Sequence, residues 1–558
     1  MSAAHELAER GFDVTVFETG AEPGGKARSM AVPRTGAGGR RDLPGEHGFR
    51  FFPGFYRHLP DTLRRIRVPD GGSTAFDHLV PAEDFQIARA GRRELIGPIR
   101  FPQTPDDVRD GVRFLFRYAA ESGVSAPEMA YVLNRLFLLL ASCDERRFGQ
   151  YEELSWWEFS GAADRSQAYQ LFLADGLTRS LVAARARELS ARTGGLIVLQ
   201  LLFDMGRADG QVDRLLDGPT NDVWIDPWLA QLRGRGVDYR RRHDVQGIRC
   251  AGDGDEEIRA DHYVPAPPVE QMQLLADRAL CRADPALAGV HALETRWMNG
   301  IMFYFDRPVP IVRGHTIYLD SEWSLTSISQ QQFLARRPRR VRRRIGPGHP
   351  LGRHPRMAAR RRQRQERDEV HAPGDPRRGL AAARRASQRR RDAGARGGGD
   401  RHLVPGSGDP VPEPIEATNL ELLLIDTAGS WRSRPDAVPA ERRKTHGRAL
   451  ANLYLAADYV RTYTDLATME VANEAARRAV NGILDADEAQ AERCMVRKLD
   501  EPLLLLAPAR ALDRILHRLG RAPRPVLQVK PDGRVEVAGP VGEAMVGAQS
   551  LAAGLPGL

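Results

Sequence analysis

The sequence predicts an α/β fold: a dinucleotide-binding domain joined to a second half of antiparallel sheet and helices. Three observations predict it. Residues 2–18, SAAHELAERGFDVTVFE, read as an amphipathic helix closed by Gly11 and a buried strand, Phe12–Phe17, that ends in an acid. NLYLAAD (Asn452–Asp458) reads as a strand running into TDLATMEVANEAARRAVNGIL, a long helix rich in small residues. Between them, Arg296–Phe305 and His315–Ser329 read as strands of an antiparallel sheet.

A helix followed by a strand with a terminal acid is the second half of a βαβ unit. In such a unit a first strand enters a Gly-rich turn whose N–H groups, with the helix N-terminus, approach a pyrophosphate. The chain starts inside the helix, so the expectation is that this strand and turn are missing. In-frame DNA upstream of Met1 should then encode them, and the chain as written should bind its dinucleotide weakly. Glu18 stands where a carboxylate accepts hydrogen bonds from ribose hydroxyls.

Next come EPGGKARS and GEHGFRFFPGFY (Gly45–Tyr56); from about Pro105 to Met205 apolar residues recur at helical spacing. Strand and helix patterns resume at WIDPWLAQLRGRGVDYRRRHDVQGIRC and DHYVPAPP (Asp261–Pro268). The expected organisation is a dinucleotide-binding part at 1–100, a helical substrate-domain insertion at 101–215 and a middle part of the dinucleotide domain at 216–275. The substrate domain follows at 276–333, an Arg-rich segment at 334–412, the return of both halves at 413–484, and a C-terminal extension at 485–558.

A chain of 558 residues exceeds what one core usually organises. Cys143, Cys250, Cys281 and Cys494 lie far apart, with neither zinc-site spacing nor the density of a disulfide scaffold. The most apolar run, Leu136 to Ala141, is too short to span a bilayer. These features predict a cytoplasmic protein, with contact at the inner membrane face left open. The net charge of +9 is concentrated in one place. Between Arg336 and Arg401 there are 23 Arg and no Lys, and through Pro412 the segment carries +16, which leaves −7 for the rest. That remainder offers no basic face for nucleic acid.

Arg, Ala, Gly and Pro without Lys are what GC-rich codons give in the wrong frame. A synonymous encoding of His402–Pro412, read from its second base, yields TWFLDPAIRYP, and Leu334–Arg337 becomes WPDV in the same frame. The segment is therefore expected to be frameshifted and to pack against nothing; genuine disorder and an Arg-rich nucleic-acid-binding arm are the alternatives.

These pieces, in this order, resemble the flavoprotein superfamily of amine oxidases and phytoene desaturases, and within it bacterial desaturase-like proteins such as hydroxysqualene dehydroxylases. The resemblance covers about Ser2–Ser329 and Glu413–Leu484. It implies a Rossmann-type FAD domain assembled from separated segments. Glu18 would bind the adenosine ribose, and Gly24, Gly25 and Arg28 would line the pyrophosphate. Gly45, Glu46, His47 and Gly48 would form the loop beside the isoalloxazine. The Val245 backbone would meet adenine, a core valine being the other reading. Asp458 would face the ribityl or phosphate end, and Thr468, Met469 and Glu470 would open the helix whose N–H dipoles face the flavin pyrimidine. Ala457 and Val471 depart from the family, which has Gly or Ser and Gly there. The substrate implied is apolar and isoprenoid-like, with a tunnel that Phe137, Trp156, Trp157 and Phe172 would line if they are not simply core. An amine oxidase is the second reading. The resemblance names no catalytic side chain and no metal, and the oligomeric state stays open.

Overall fold

In the computed structural model the described residues are 1–36, 39, 41–46, 48, 50–69, 72–99, 121–181, 184–205, 213–249, 258–305, 309, 311–321, 324–334, 356–361, 421–501, 503–525, 527–530 and 535–537. Helix α1 (Ser2–Glu9) ends as the glycine predicts. Gly11 takes φ +84°, its N–H donates to Ala8 O, and Phe12 N–H donates to Leu7 O. The chain then enters β1 (Thr15–Glu18), which pairs in parallel with β9 (Asp238–Arg241), the strand after helix α5 (Asp226–Gly234).

Helix α6 (Met469–Ala486) packs on α1 and on α2 (His58–Arg64). Its apolar side, Ala475, Ala479, Val480 and Ile483, joins Leu453 and Leu455 in one core. Its other contacts are buried polar groups. Arg477 donates to Asp61 Oδ2 at 2.6 Å, Asn473 Oδ1 at 2.9 Å and His58 O at 3.0 Å. The helix starts later than its pattern suggests because Asp465 is left-handed, at φ +48°, and Thr468 is the N-cap. The expected strand Asn452–Asp458 is reduced to one parallel bridge, Tyr263 to Leu453. Tyr454 N–H donates to Tyr263 O and Ala456 N–H to Pro265 O, but Pro265 has no N–H to return, so the ladder stops.

A seven-stranded sheet forms the second half, in the order β14 (Glu421–Leu424), β10 (Thr295–Tyr304), β13 (Arg356–Arg361), β12 (Thr326–Ser329), β11 (Gly314–Tyr318), β6 (Asp84–Ala88) and β7 (Leu95–Pro98). It draws β6 and β7 from the first hundred residues because β6 pairs in parallel with β11. Six residues of the Arg-rich segment form β13 between β10 and β12. This corrects the expectation that none of that segment joins the fold; residues 335–355 and 362–420 lie outside the described residues. Smaller units are the hairpin β2 (Ser29–Val32) and β3 (Leu43–Glu46), and the set β4 (Phe51–Phe52), β8 (Arg214–Leu216) and β5 (Leu79–Pro81). Strands β15 (Leu527–Val529) and β16 (Val535–Val537) form a hairpin near the C-terminal end.

The helical insertion is organised by α3 (Ala126–Ala141) and α4 (Ala191–Met205). Ser125 caps α3 in a reciprocal box with Glu128. The two helices approach closely: a Cβ on Gly195 would clash with Leu139 Cδ2. Gly195→Ala should therefore cost about 1–3 kcal/mol of stability, read as a lower urea midpoint. An unchanged midpoint would show that Leu139 yields freely.

Candidate cofactor-binding site

At one end of the site, β1 delivers Glu18 half-buried. Its Oε1 accepts from Gly20 N–H at 2.8 Å, and its backbone carbonyl accepts from His243 N–H at 3.0 Å. No other hydrogen bond to the carboxylate occurs among the described residues, so Oε2 retains acceptor capacity for a ribose hydroxyl pair. Val245 follows on the segment that His243 ties to Glu18, but its side chain is 44% exposed. It is not a core valine.

The turn after β1 holds Gly24 at φ +102° and Gly25 at φ +54°. A Cβ on Gly24 would press on Ile225 at 3.2 Å, so both conformation and space require glycine there. Arg28 is half-buried and donates to Gly25 O at 2.6 Å. Beneath the turn lies Arg50, which the motifs did not single out. Its guanidinium donates to Ala27 O and Lys26 O at 3.0 Å, and to Arg28 O and Gly48 O at 3.3 Å. Burial lowers its pKa, opposed by Glu46. The signal in the sequence was an arginine set among Phe49, Phe51 and Phe52. With these carbonyls engaged, the turn keeps its shape around a cation.

Gly45 and Glu46 sit in β3, opposite Met30 and Ser29. A Cβ on Gly45 would meet Val32 Cγ2 at 3.1 Å. The Glu46 carboxylate accepts from Thr220 N–H at 3.0 Å and Thr220 Oγ1 at 3.1 Å, joining the hairpin to the segment before α5. Tyr304 Oη donates to Pro44 O at 2.6 Å and so joins the hairpin to the large sheet. His47 lies outside the described residues.

At the other end, Ala457 adopts φ +144°, a conformation that favours glycine, which explains why a smaller residue suits the position. Asp458 follows half-buried; lost hydration raises its pKa, with Lys26 and Arg434 opposing. Lys26 also pairs with Glu270 at 2.8 Å and bonds Leu422 O. The structure thus brings Asp458 to the glycine turn. Thr468 Oγ1 accepts from Val471 N–H at 3.3 Å, Met469 is partly buried, and Val471 is fully buried.

Glu470 is placed elsewhere. Its oxygens accept from the backbone N–H groups of Arg57, His58 and Leu59 at 2.7–2.9 Å and from His58 Nδ1 at 2.8 Å. Burial pushes its pKa up, but the His58 and backbone donors outweigh this and hold it below the usual carboxylate range. It caps α2.

Sequence reasoning also missed the buried charges that hold the turn before α6. Arg192 of α4 pairs with Glu152 at 2.9 Å and with Asp465 at 3.0 Å, and lies against the Phe148 ring. Asp426 pairs with Arg434 and accepts from Ala467 N–H at 3.1 Å. Burial, reinforced by Asp465 and Asp458, raises Asp426 to about 6 against the pull of Arg434 and the Ala467 N–H. Among the candidate tunnel residues, Trp156, Trp157 and Phe172 pack in the core of the insertion, and Phe137 is half-buried. No group of three His, Cys, Asp or Glu among the described residues could hold a metal.

A strand-end acid with a spare carboxylate oxygen, a glycine turn held over a buried arginine, and a capped helix N-terminus fit FAD. Such a fold and site define an FAD-dependent oxidoreductase. Residues 1–339 match the model of the flavin containing amine oxidoreductases, and the chain belongs to that family. The structure resembles cyclohexylamine oxidase from Brevibacterium oxydans, with TM-score 0.50 and 14% identity over 87% of this chain and 96% of that one. An oxidoreductase from Methanosarcina mazei gives 0.48 and 13% over 87% and 97%, and putrescine oxidase bound to putrescine gives 0.48 and 12% over 87% and 96%. A search of curated proteins returned no match.

Glu18→Ala should weaken FAD binding by about 1–3 kcal/mol through lost charge-assisted hydrogen bonds, measured by flavin fluorescence titration. Equal affinities would remove Glu18 from the site. Asp426 supplies a pH test. Its folded pKa of about 6 lies above the unfolded value, so the folded chain holds the extra proton and this contribution to stability falls as pH rises from about 4 to 6. Between about pH 5 and 7 the unaltered chain should lose about 1 kcal/mol more stability than Asp426→Asn. Parallel pH profiles in denaturant titrations would contradict it.

Proposed function

We propose that the protein transfers hydride between FAD and an apolar, isoprenoid-like molecule, in desaturation or in reductive removal of a hydroxyl group. FAD supplies the hydride chemistry when bound, so the chain has to hold it, orient the substrate and exclude water. Glu18, the Gly24–Arg28 turn, Asp458 and the N-terminal turn of α6 would hold the cofactor. Arg192, from the helical insertion, and Asp426, from the chain after β14, keep the residues before α6 in place.

The observation offered for the substrate class is a set of exposed apolar side chains on the helical insertion and the large sheet. Leu171 and Leu202 of the insertion are 38% and 45% exposed, and Ile96 and Phe303 of the large sheet are 50% and 43% exposed. Such side chains offer contact area without a charge to orient on. The likeness of the motifs to desaturase-like proteins points the same way. One observation favours an amine instead. Around the start of α6 and the glycine turn the acids Glu152, Glu270, Asp426, Asp458 and Asp465 face three cations, Lys26, Arg192 and Arg434, a balance that suits a positively charged substrate.

Anaerobic mixing separates the two readings. FAD-loaded protein should bleach near its main visible absorbance with a long-chain polyprenyl hydrocarbon, or the reduced protein should recolour with a polyprenyl alcohol. Bleaching by cyclohexylamine or putrescine, with no response to either isoprenoid, would replace the proposal by amine oxidation.

A further inference from the structure

Helix α7 (Leu503–Arg518), in the C-terminal extension, has an inward face that is fully accounted for. Asp513 accepts from Cys143 N–H at 2.9 Å and from Arg146 Nε at 3.0 Å, Arg510 donates to Leu140 O, and Ala509 and Leu516 are buried. The outward face is different. Ala507, Ala511, Ile515 and Leu519 follow one another at four-residue spacing and are all exposed, so they form one line along the helix. Ile515 and Leu519 are 56% and 63% exposed, more than any other large apolar side chain among the described residues. The helix then stops on Gly520 at φ +65°, with Arg521 N–H donating to Leu516 O, which fixes Arg521 at the rim just past Leu519.

Along the chain, the charge that accompanies this line has one sign. From Arg514 to Lys530 the described residues include Arg514, Arg518, Arg521, Arg524 and Lys530 and no Asp or Glu. Arg514 is engaged by Glu145 at 2.7 Å and Lys530 by Glu536 at 3.1 Å. Arg518, Arg521 and Arg524 have no ion pair among the described residues. An apolar line with a cationic rim complements a surface that is apolar below and anionic above. Nucleic acid would meet apolar side chains with no aromatic among them to stack on its bases. Long arginine stems let the guanidinium groups stay at phosphate level while Ile515 and Leu519 go deeper.

We propose that the outward face of α7, with Ile515 and Leu519 at its centre and Arg518, Arg521 and Arg524 at its rim, docks the protein on an anionic lipid bilayer. The helix lies in the headgroup layer. No helix among the described residues is long and apolar enough to cross a membrane. The proposal is independent of the reaction proposed above.

The test is sedimentation of the full chain with phosphatidylglycerol–phosphatidylethanolamine vesicles and with phosphatidylcholine vesicles, at about 0.15 M salt. The chain should bind the anionic vesicles at least about five-fold more tightly. Ile515→Ser with Leu519→Ser leaves the charge untouched and should weaken that binding at least about five-fold. Arg518→Gln with Arg521→Gln should remove most of the preference for anionic lipid. The 23 arginines between Arg336 and Arg401 could also bind by charge alone. In that case both double variants bind like the unaltered chain, and the proposal is overturned. It is also overturned if the chain ignores vesicles but is retained on an immobilised acidic polypeptide in a manner lost with these variants, which would assign the face to a protein. Circular dichroism checks the fold of each variant. As a second readout, Leu519→Trp should gain a blue-shifted emission component on anionic vesicles, and its absence would count against the proposal.

Discussion

Pairing of buried charge along α6 is the constraint on which the dinucleotide half depends. Glu470, Asn473, Glu474 and Arg477 are all within about 1% of full burial on a helix that must also pack its small residues. A buried charge without a partner costs several kcal/mol, so the positions of α1, α2 and the chain near Met495 are set by what these side chains need. Arg477 reaches Glu6 of α1 and Asp61 of α2, while Glu470 closes the N-terminus of α2. His58 completes the arrangement by accepting from Arg497 N–H through Nε2 while Nδ1 faces Glu470. The same network fixes the direction in which the N-terminus of α6 points, and with it the direction of the helix dipole.

A second set of buried charges works from the opposite side. Arg192 comes from the helical insertion, Asp426 and Arg434 from the chain that follows the large sheet, and Asp465 from the turn before α6. Backbone bonds from Ser190 N–H to Asp426 O and from Gly429 N–H to Glu152 O stitch the same seam. The helical insertion, the chain after the large sheet and the turn before α6 are therefore joined through buried ion pairs.

Much of the fold was legible because it rests on local pattern. Gly11 closes α1, and α5 leads to β9 as the apolar spacing indicates. Glu18 and Gly24 were legible because a strand-end carboxylate and a left-handed glycine are determined by short stretches of chain. Glu470 could be matched to a motif, but a motif does not say which neighbour a side chain faces; α2, over 400 residues away, decides that. Arg50 and Arg192 act through partners remote in sequence and carry no periodic signature. The pattern at Asn452–Asp458 was right about burial and wrong about regular strand, because the partner strand contains prolines. The Arg-rich stretch lacked alternation, yet its residues 356–361 extend between two strands through backbone bonds, which ask nothing of side-chain pattern.

The packing of α1 against α6 also sets a timetable for folding. Helix α1 rests on one whose residues are numbered 469–486. At roughly 5–20 residues per second, synthesis separates the two by about half a minute or more. During that interval α1 can lean on Arg65, which reaches Glu6 and Glu9, and then on α5 and the parallel partner of β1, these last two more than 200 residues away. Contacts of such separation are entropically expensive to close and slow to form. Helix α1, with buried His5, Glu6 and Leu7 destined for the interior, stays without its α6 partner, open to chaperones and proteases on that side, until residues 469–486 have been made.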